Sequence, residues 1–277
     1  MINRREEMIL SQYLQIDLEK AREEAVAFIK RVLASSKASG IVIGLSGGVD
    51  SSVVATLCVR AIGPDHVLGL LMPTEFTPQD DISDASELAK GLGIKTELVN
   101  LECITEAVDK SLGIDVRDTS QRIARANILA RIRMVILYYY ANVYNFLVVG
   151  TGDRSEYLVG YFTKHGDGAA DFCPIRHLYK TQVRQLGRYL NLPAKLAYKP
   201  SSPQLYPGHK LLDELPLDYD KLDPILVGLY HLHMQPAEIS KITNVPSSII
   251  ESVQARYRKS QHKRRNAPAL TAENRRG

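Results

Sequence analysis

The sequence changes character abruptly over residues 41–52, which read IVIGLSGGVDSS. An apolar run that fits a buried strand gives way to a short loop of serine and glycine, and then to a helix predicted to begin near Asp50. Gly47 and Gly48 allow backbone N–H groups to converge on an anion, which the N-terminus of the following helix also attracts. Such a junction is typical of a phosphate-binding loop in an α/β fold.

Asp50 adds a second requirement to this loop. A carboxylate inside an anion cradle repels phosphate unless a cation such as Mg²⁺ lies between the two groups. The Walker pattern G-x-x-x-x-G-K is absent here. The SGGVDSS string at residues 46–52 instead resembles the pyrophosphate loop of the N-type ATP pyrophosphatases, which break ATP between the α and β phosphates and form adenylated intermediates. The alternative is a glycine-rich turn with no ligand.

Helical and strand patterns alternate along the first 150 residues. The predicted helices are Leu18–Leu33, Ser52–Arg60, Gln79–Leu92 and Thr119–Tyr144, and the predicted strands begin at Ile41 and span Val67–Met72, Lys95–Leu101 and Phe146–Val149. Alternation of this kind indicates a doubly wound parallel sheet. Because ligands of such sheets bind beyond the carboxyl ends of the strands, we expect the Ser46 loop and the Thr151 segment to meet in one crevice.

Composition limits the class of protein. With 277 residues and 45% hydrophobic content, the chain can form one large α/β domain with a helical appendage. It has no run of about 18 apolar residues that would span a membrane, so we expect a cytoplasmic protein without a membrane partner. Its cysteines are few and widely separated, which argues against a disulfide framework and a CxxC site. They are Cys58, Cys103 and Cys173.

Charge is distributed unevenly. The net charge is +4, but the last 22 residues contain eight lysines and arginines and one acidic residue. A basic tail on a mildly acidic body predicts an anionic partner, whether a nucleotide, a nucleic acid or an acidic protein surface.

The segment Val148–Ile175, VVGTGDRSEYLVGYFTKHGDGAADFCPI, makes the resemblance specific. It is similar to the NAD synthetase family, in which a Gly-Thr-Gly run after the fourth strand is followed by a Glu and by a block with the pattern G-(Y/F)-F-T-K-x-G-D-G. The matching residues are Gly150, Thr151, Gly152, Glu156, Gly160, Tyr161, Phe162, Thr163, Lys164, Gly166, Asp167, Gly168, Asp171 and Pro174. Further matching blocks are ARIRM at residues 130–134, LYKTQVRQLGRYL at 178–190, KPSSPQLYPG at 199–208 and QHKRR at 261–265.

The resemblance implies an adenine nucleotide alpha hydrolase-like fold and a set of site residues. The positions implied for ATP are Gly44, Leu45, Ser46, Gly47, Gly48, Val49, Asp50, Ser51, Ser52, Thr151, Lys180 and Ser202. Asp50 and Glu156 would hold Mg²⁺, whose preference for oxygen ligands suits two carboxylates and phosphate. The positions implied for the dinucleotide substrate, deamido-NAD, are Arg131, Lys164, Asp171, His262 and Lys263. The residues implied in the chemistry are Asp50, Lys180 and Asp171.

The activity implied is the ATP-dependent amidation of deamido-NAD to NAD through an adenylated intermediate, with release of AMP and pyrophosphate. Members of the family that use glutamine carry an additional domain with a catalytic cysteine. Here the ATP loop is preceded by 45 residues, so ammonia is the expected nitrogen donor. We expect a single NAD synthetase domain, with an ATP pyrophosphatase core at about 18–200, a helical region at about 210–260 and a basic tail at 261–277.

The long Thr119–Tyr144 pattern also predicts an assembly. Its apolar residues are spread over more than one helical face, and one sheet can cover only one face. The resemblance implies a homodimer with the dinucleotide sites at its interface. We also expect the tail that bears His262 and Lys263 to be mobile and to close over substrate. Pro216 replaces a common Gly of the family, so the loop that contains it is expected to order differently.

Two other functions are compatible with parts of the sequence. Residues 236–265 read as two short helices joined at Asn244–Pro246 and followed by basic residues, which is also the pattern of a helix-turn-helix DNA reader. A pyrophosphatase loop has no role in such a protein, so no nucleic-acid partner is expected. The same fold also adenylates other acceptors, including tRNA bases for thiolation, but those enzymes generally use paired cysteines, which are absent here.

Overall fold

The computed structural model describes residues 4–199 and 205–269. In this part of the chain the helices are α1 (Arg4–Leu14), α2 (Leu18–Ser36), α3 (Val49–Ile62), α4 (Gln79–Leu92), α5 (Glu102–Leu112), α6 (Arg122–Tyr144), α7 (Arg154–Val159), α8 (Lys180–Tyr189), α9 (Ala194–Ala197), α10 (Tyr219–Tyr230), α11 (Pro236–Thr243) and α12 (Ser247–Lys259). The strands are β1 (Gly40–Gly44), β2 (Val67–Leu71), β3 (Lys95–Leu98) and β4 (Phe146–Val148).

The four strands form one parallel sheet in the order β3-β2-β1-β4. Ile41 of β1 pairs with Val67 of β2 on one side and with Leu147 of β4 on the other. The chain therefore builds outward from β1 to β3 and then returns to place β4 on the opposite side of β1. This reversal creates a topological switch point between β1 and β4, where a crevice opens beyond the strand ends.

Alternation along β1 places its side chains in two cores. Ile41 and Ile43 pack with α2, α3, α4 and α8, whereas Val42 packs on the opposite face with α6. Because every residue of β1 except Gly44 is buried, the strand is apolar throughout rather than alternating. Helices cover both faces of the sheet, so the predicted doubly wound architecture is confirmed.

Several boundaries differ from the prediction for local reasons. Helix α3 begins at Val49, next to the start predicted near Asp50 from the loop and three residues before the helical pattern at Ser52–Arg60, and Gly48 is its N-cap. Strand β3 ends at Leu98 instead of Leu101, since the chain turns at Asn100, whose side-chain oxygen accepts a hydrogen bond from the first residue of α5. The long helix begins as a single 3-10 turn at Thr119–Gln121, and Asp118 caps that turn.

A separate core lies in the C-terminal helical region. It is built mainly from α10, α11 and α12, with Leu10 of α1 and Leu158 of α7 packed among them. The two predicted helices around residues 244–246 are α11 and α12, and Asn244 in the left-handed conformation ends the first of them. Helix α7 joins this core to the sheet, because it follows β4 in the chain and also packs on the helical region.

The three cysteines lie at different depths. Cys58 is completely buried in the main core, Cys173 is half-buried and Cys103 is exposed. Burial raises the pKa of the Cys58 thiol far above its ordinary value. Among the described residues, none of the helices has the length and apolar character needed to cross a bilayer.

Candidate active site

A cavity of about 390 Å³ lies at the switch point between β1 and β4. The loop that follows β1 forms one wall, and the segment that follows β4 contributes to the opposite wall. Two separate parts of the sequence thus meet in one crevice, as expected. Among the residues selected from the sequence, those that line the cavity are Gly44, Leu45, Ser46, Gly47, Gly48, Val49, Asp50, Ser51, Thr151, Glu156 and Lys263.

The loop after β1 depends on a glycine at position 47. Gly47 has φ +69°, and a Cβ atom there would lie 2.4 Å from the carbonyl oxygen of Asp81 on α4. Ser52 is fully buried and does not line the cavity. Its hydroxyl donates to the carbonyl oxygen of Gly48 at 2.7 Å, so it fixes the loop from beneath. Ser46 remains exposed at the surface of the cradle.

Lys180 lies behind the cavity wall, at the start of α8, with a fully buried side chain. Its Nζ atom is 2.6 Å from Asp50 Oδ2, 2.8 Å from Glu156 Oε1 and 3.0 Å from Asp153 Oδ2. The ring of Tyr219 lies 5.1 Å from the same ammonium. Lys180 therefore links the two walls of the crevice through their carboxylates.

The charges in this cluster perturb one another. Burial raises the pKa of Glu156 to about 8, with the neighbouring Asp153 and Asp50 adding to the effect and Lys180 opposing it. Burial likewise raises the pKa of Asp153 to about 6 against the attraction of Lys180. Burial alone would lower the pKa of Lys180, but the three carboxylates hold it well above its ordinary value. Three acids therefore surround a single base, and the site can accept additional positive charge.

Two of the three carboxylates, those of Asp50 and Glu156, could hold a magnesium ion together with phosphate oxygens. Asp50 Oδ1 is buried and makes no hydrogen bond with any described residue, and Glu156 is one-fifth exposed to the cavity. No group of three or more acidic, His or Cys side chains in the described part of the chain is arranged to enclose an ion unaided. Mg²⁺ commonly binds through one or two carboxylates and completes its shell with phosphate oxygens and water.

The residues selected for the dinucleotide divide into two groups. Lys263 lines the cavity, where its Nζ atom donates to the carbonyl oxygens of Gly160 at 2.9 Å and Phe162 at 2.7 Å. Arg131 and Lys164 lie outside the cavity wall and are joined by a hydrogen bond from Arg131 Nε to the Lys164 carbonyl.

The other two selected residues also lie outside the cavity. Asp171 is exposed and accepts hydrogen bonds from the Tyr138 hydroxyl on α6 and from the Val148 amide at 2.7 Å. His262 is exposed in the 3-10 turn Gln261–Lys263. Ser202 lies outside the described residues.

The start of the basic tail is docked rather than free. Arg264 donates to the carbonyl oxygens of Tyr157 and Leu158 on α7, and Arg256 of α12 donates to the Val159 carbonyl. At Arg264 the chain is therefore held against α7 by cations that donate to carbonyl oxygens at the C-terminus of that helix, and mobility of the tail stays a prediction. The same hydrogen bonds hold the guanidinium groups of Arg256 and Arg264 against α7.

Several site residues were missed by sequence reasoning. Asp153 is fully buried, accepts the Glu156 amide at 2.8 Å and thereby fixes α7. The D-x-x-E spacing of Asp153 and Glu156 is that of a capping box and could have indicated this role. Arg133 lines the cavity, where burial lowers the pKa of its guanidinium to about 10, which leaves it charged near neutral pH. No sequence motif indicated Arg133, and its place at the site becomes visible only in the structure, where α6 carries it to the cavity.

Comparison with known proteins identifies relatives that match almost the whole chain. The sequence model of the NAD synthase family matches residues 21–267. The NH(3)-dependent NAD(+) synthetase of Staphylothermus marinus is 45% identical over 260 residues, which cover 94% of each chain. The corresponding protein of Hyperthermus butylicus is 44% identical over 261 residues, covering 94% of this chain and 93% of the relative.

Solved structures agree with these relatives. The NMN synthetase of Francisella tularensis superposes with a TM-score of 0.81 at 32% identity and covers 93% of this chain and 100% of that one. The NH3-dependent NAD synthetase of Campylobacter jejuni, solved with a nitrate ion, superposes with a TM-score of 0.77 at 32% identity and the same coverage.

Proposed function

The chain belongs to the NAD synthase family, and we propose that it amidates deamido-NAD to NAD with ammonia at the expense of ATP. The observation that carries this proposal is the meeting of Asp50 and Glu156 beside one cavity, where Asp50 belongs to the wall formed by the glycine-rich loop and Glu156 to the facing wall. This arrangement suits a triphosphate that must be neutralised before its α-phosphorus is attacked.

The ATP half of the site has the groups needed for such neutralisation. The backbone of Gly47 and Gly48 and the N-terminus of α3 would hold the pyrophosphate portion. Lys180 reaches the site through Asp50 and Glu156, so its charge balances those carboxylates until the nucleotide binds. Thr151 lies on the opposite wall, where it is proposed to contact the adenylate.

Asp50 and Glu156 are the residues proposed to hold Mg²⁺. When bound, the ion would withdraw charge from the phosphate oxygens and so stabilise the leaving pyrophosphate. The buried, unpartnered Asp50 Oδ1 and the cavity-facing Glu156 support this assignment.

The reaction requires two bond exchanges. The ring carboxylate of deamido-NAD attacks the α-phosphorus, a C–O–P bond forms, and the bond to pyrophosphate breaks. Ammonia then attacks the activated carbonyl carbon and AMP leaves with the bridging oxygen. Asp171 is proposed to bind ammonium and to accept its proton, and its two hydrogen bonds to Tyr138 and Val148 would fix the carboxylate for this task.

The outer face of α6 supports a symmetric homodimer. Val135, Tyr139 and Val143 are exposed there, with Val135 exposed to 70%. Arg131 lies one turn before Val135 on the same helix. A second copy packed on this face would bury the apolar residues and border the residues proposed for the dinucleotide. Sedimentation should give twice the chain mass, and a monomer with full activity at assay concentration would overturn this assignment.

The decisive assay combines ATP, Mg²⁺, ammonium and deamido-NAD with the purified protein and identifies the products by mass. We expect NAD, AMP and pyrophosphate in equal amounts. A parallel reaction with ammonia-free glutamine should give no NAD at concentrations at which ammonium does. Equal rates with glutamine would refute ammonia as the direct donor.

A second acceptor must be compared because one structural neighbour is an NMN synthetase. The acid form of NMN carries the same ring carboxylate but lacks the adenylate half of deamido-NAD. We expect kcat/KM to favour deamido-NAD, since cationic residues outside the cavity such as Arg131 and Lys164 would contact the larger substrate. A clear preference for the mononucleotide would replace deamido-NAD as the substrate.

A further inference from the structure

Asp223 of α10 is a fully buried carboxylate outside the cavity. It accepts three hydrogen bonds, from the Ser155 hydroxyl at 2.6 Å and from the amide and hydroxyl of Thr181 at 2.8 Å each. Ser155 belongs to α7 and Thr181 to α8, so one carboxylate joins three helices. Each donor is adjacent in sequence to a residue of the proposed active site.

These hydrogen bonds fix the backbone next to two residues of the proposed site, Glu156 and Lys180. Ser155 precedes Glu156, and its hydroxyl oxygen also accepts the backbone amide of Lys180 at 2.9 Å. Thr181 follows Lys180 and has both of its donors on Asp223. The backbone positions of Glu156 and Lys180 are therefore tied to each other through Asp223 and Ser155.

The same face of α10 also contacts Lys180 directly. Tyr219 lies one turn before Asp223, and its buried ring is 5.1 Å from the Lys180 ammonium. Residues four apart in a helix share a face, so Tyr219 and Asp223 act together on the start of α8. Helix α10 thus reaches the catalytic cluster without lining the cavity.

A buried carboxylate is a costly way to hold three helices together. Burial raises the pKa of Asp223 to about 6, against the hydrogen bonds from Ser155 and Thr181 and the attraction of Lys180. Apolar residues would pack the same interface without this desolvation cost. A carboxylate, however, accepts several hydrogen bonds in fixed directions, which apolar packing does not provide.

We propose that Asp223 is a positioning residue that sets the mutual placement of Glu156 and Lys180 for the cleavage of ATP. The proposal rests on the proposed function for the identity of the reaction. The C-terminal helical region would thus have a role in the chemistry, because Asp223 lies on α10, far along the chain from Glu156 and Lys180. Asp223 itself is buried and does not line the cavity.

The test is Asp223→Asn, which keeps the shape but places an amide NH2 against hydrogen-bond donors. We expect kcat for pyrophosphate release to fall by about tenfold to a hundredfold, while the KM for deamido-NAD changes by less than about threefold. The Mg²⁺ concentration that half-saturates binding of a non-hydrolysable ATP analogue should rise by about tenfold, because Glu156 is misplaced.

The matched control is Asp220→Asn, on the same helix and also paired across to α8, through Arg184 at 3.1 Å. Its side chain is 72% exposed, so kcat and the Mg²⁺ requirement should remain within about twofold of wild type. Thr181→Ser, which keeps the hydroxyl donor, should retain kcat, whereas Thr181→Val should lower it by several fold. Hydrogen exchange of the backbone amides of Lys180 and Thr181 should become faster in Asp223→Asn and should not change in Asp220→Asn.

Other results would overturn the proposal. If Asp223→Asn loses thermal stability but keeps kcat and its Mg²⁺ requirement when folded, Asp223 only holds the fold. If the variant does not fold, Thr181→Val decides the question by the same measurements. If wild type makes no NAD, the proposed function fails, while analogue binding and amide exchange still test the placement of Glu156 and Lys180.

Discussion

The two walls of the candidate active-site crevice are built in opposite ways. The loop wall uses consecutive residues, 44–51, and includes the glycine-rich backbone and the N-terminus of α3. The facing wall uses side-chain charges from α7 and α8, with α10 holding them from behind. A backbone cradle can be recognised from a short motif. A wall of buried charges depends on contacts between residues far apart in sequence.

The largest effect should come from removing one carboxylate from either wall. Asp50→Ala and Glu156→Ala should each lower pyrophosphate release by about a thousandfold, because each removes a proposed Mg²⁺ ligand worth several kcal/mol in the transition state. Circular dichroism should show both variants folded. Asp65→Ala, an exposed position beyond the far end of α3, is the control and should remain near wild type. Unchanged turnover in both variants would disprove the metal assignment.

The next effect concerns how the helical region docks on the facing wall. Gly160 ends α7 with φ +66°, and a Cβ atom there would lie 2.2 Å from Ser260 Cβ. Gly160→Ala should lower the free energy of unfolding by about 3 kcal/mol, from left-handed strain and overpacking together. Gly113→Ala, at φ +64° with no neighbour within 4 Å, should show only the strain, about 1 kcal/mol. Equal losses in chemical denaturation would contradict this close docking.

The smallest expected effect is a change with pH in the free energy of unfolding, caused by the raised pKa of Asp223. Its pKa is about 6 in the folded chain against an ordinary value of 3.8, so the folded state binds the proton more tightly. The resulting stabilisation is complete below about pH 4 and is lost as the pH rises through 6. Two pKa units correspond to about 3 kcal/mol, which is an upper bound for one group.

The comparison with Asp223→Asn isolates this contribution. The difference in unfolding free energy between wild type and variant should shift in favour of wild type as the pH falls from 6 to 4. Asp153, whose pKa is also raised, remains in both proteins and so largely cancels. A difference that does not change with pH would show that Asp223 ionises normally. Denaturation by urea at several pH values measures it.

Much of the sheet could be predicted from sequence because its signals are local. The apolar run of β1, the Gly47 turn and the helical period of α4 each lie within a few consecutive residues. The parallel orientation of the strands followed from the alternation of strands and helices, whereas their order in the sheet was not predicted. The ends of β3 and α6 were less accurate, since Asn100 and Asp118 decide them through single capping hydrogen bonds.

The site divides in the same manner. Asp50 and Glu156, which line the cavity, could be selected from the sequence because each stands in a recognisable motif, whereas Asp153 and Asp223 were not selected. Asp223 lies 42 residues from Thr181 in sequence, and no periodic pattern connects the two. The burial of Lys180 was also not foreseeable, because it results from three carboxylates supplied by two separate segments.

Because the three cysteines lie at different depths, the rates at which a thiol reagent modifies them should report three different motions of the molecule. A thiol reagent should modify Cys103 at once, because nothing shields it, and Cys58 only when the main core opens. Cys173 lies between these limits. Its sulfur accepts a hydrogen bond from Arg176 at 2.8 Å and would be 2.7 Å from a Cβ atom at Gly150, so it borders the cavity wall. The rate at which Cys173 is modified should therefore measure local opening of the cavity wall, separately from global unfolding. No substitution is needed for this measurement.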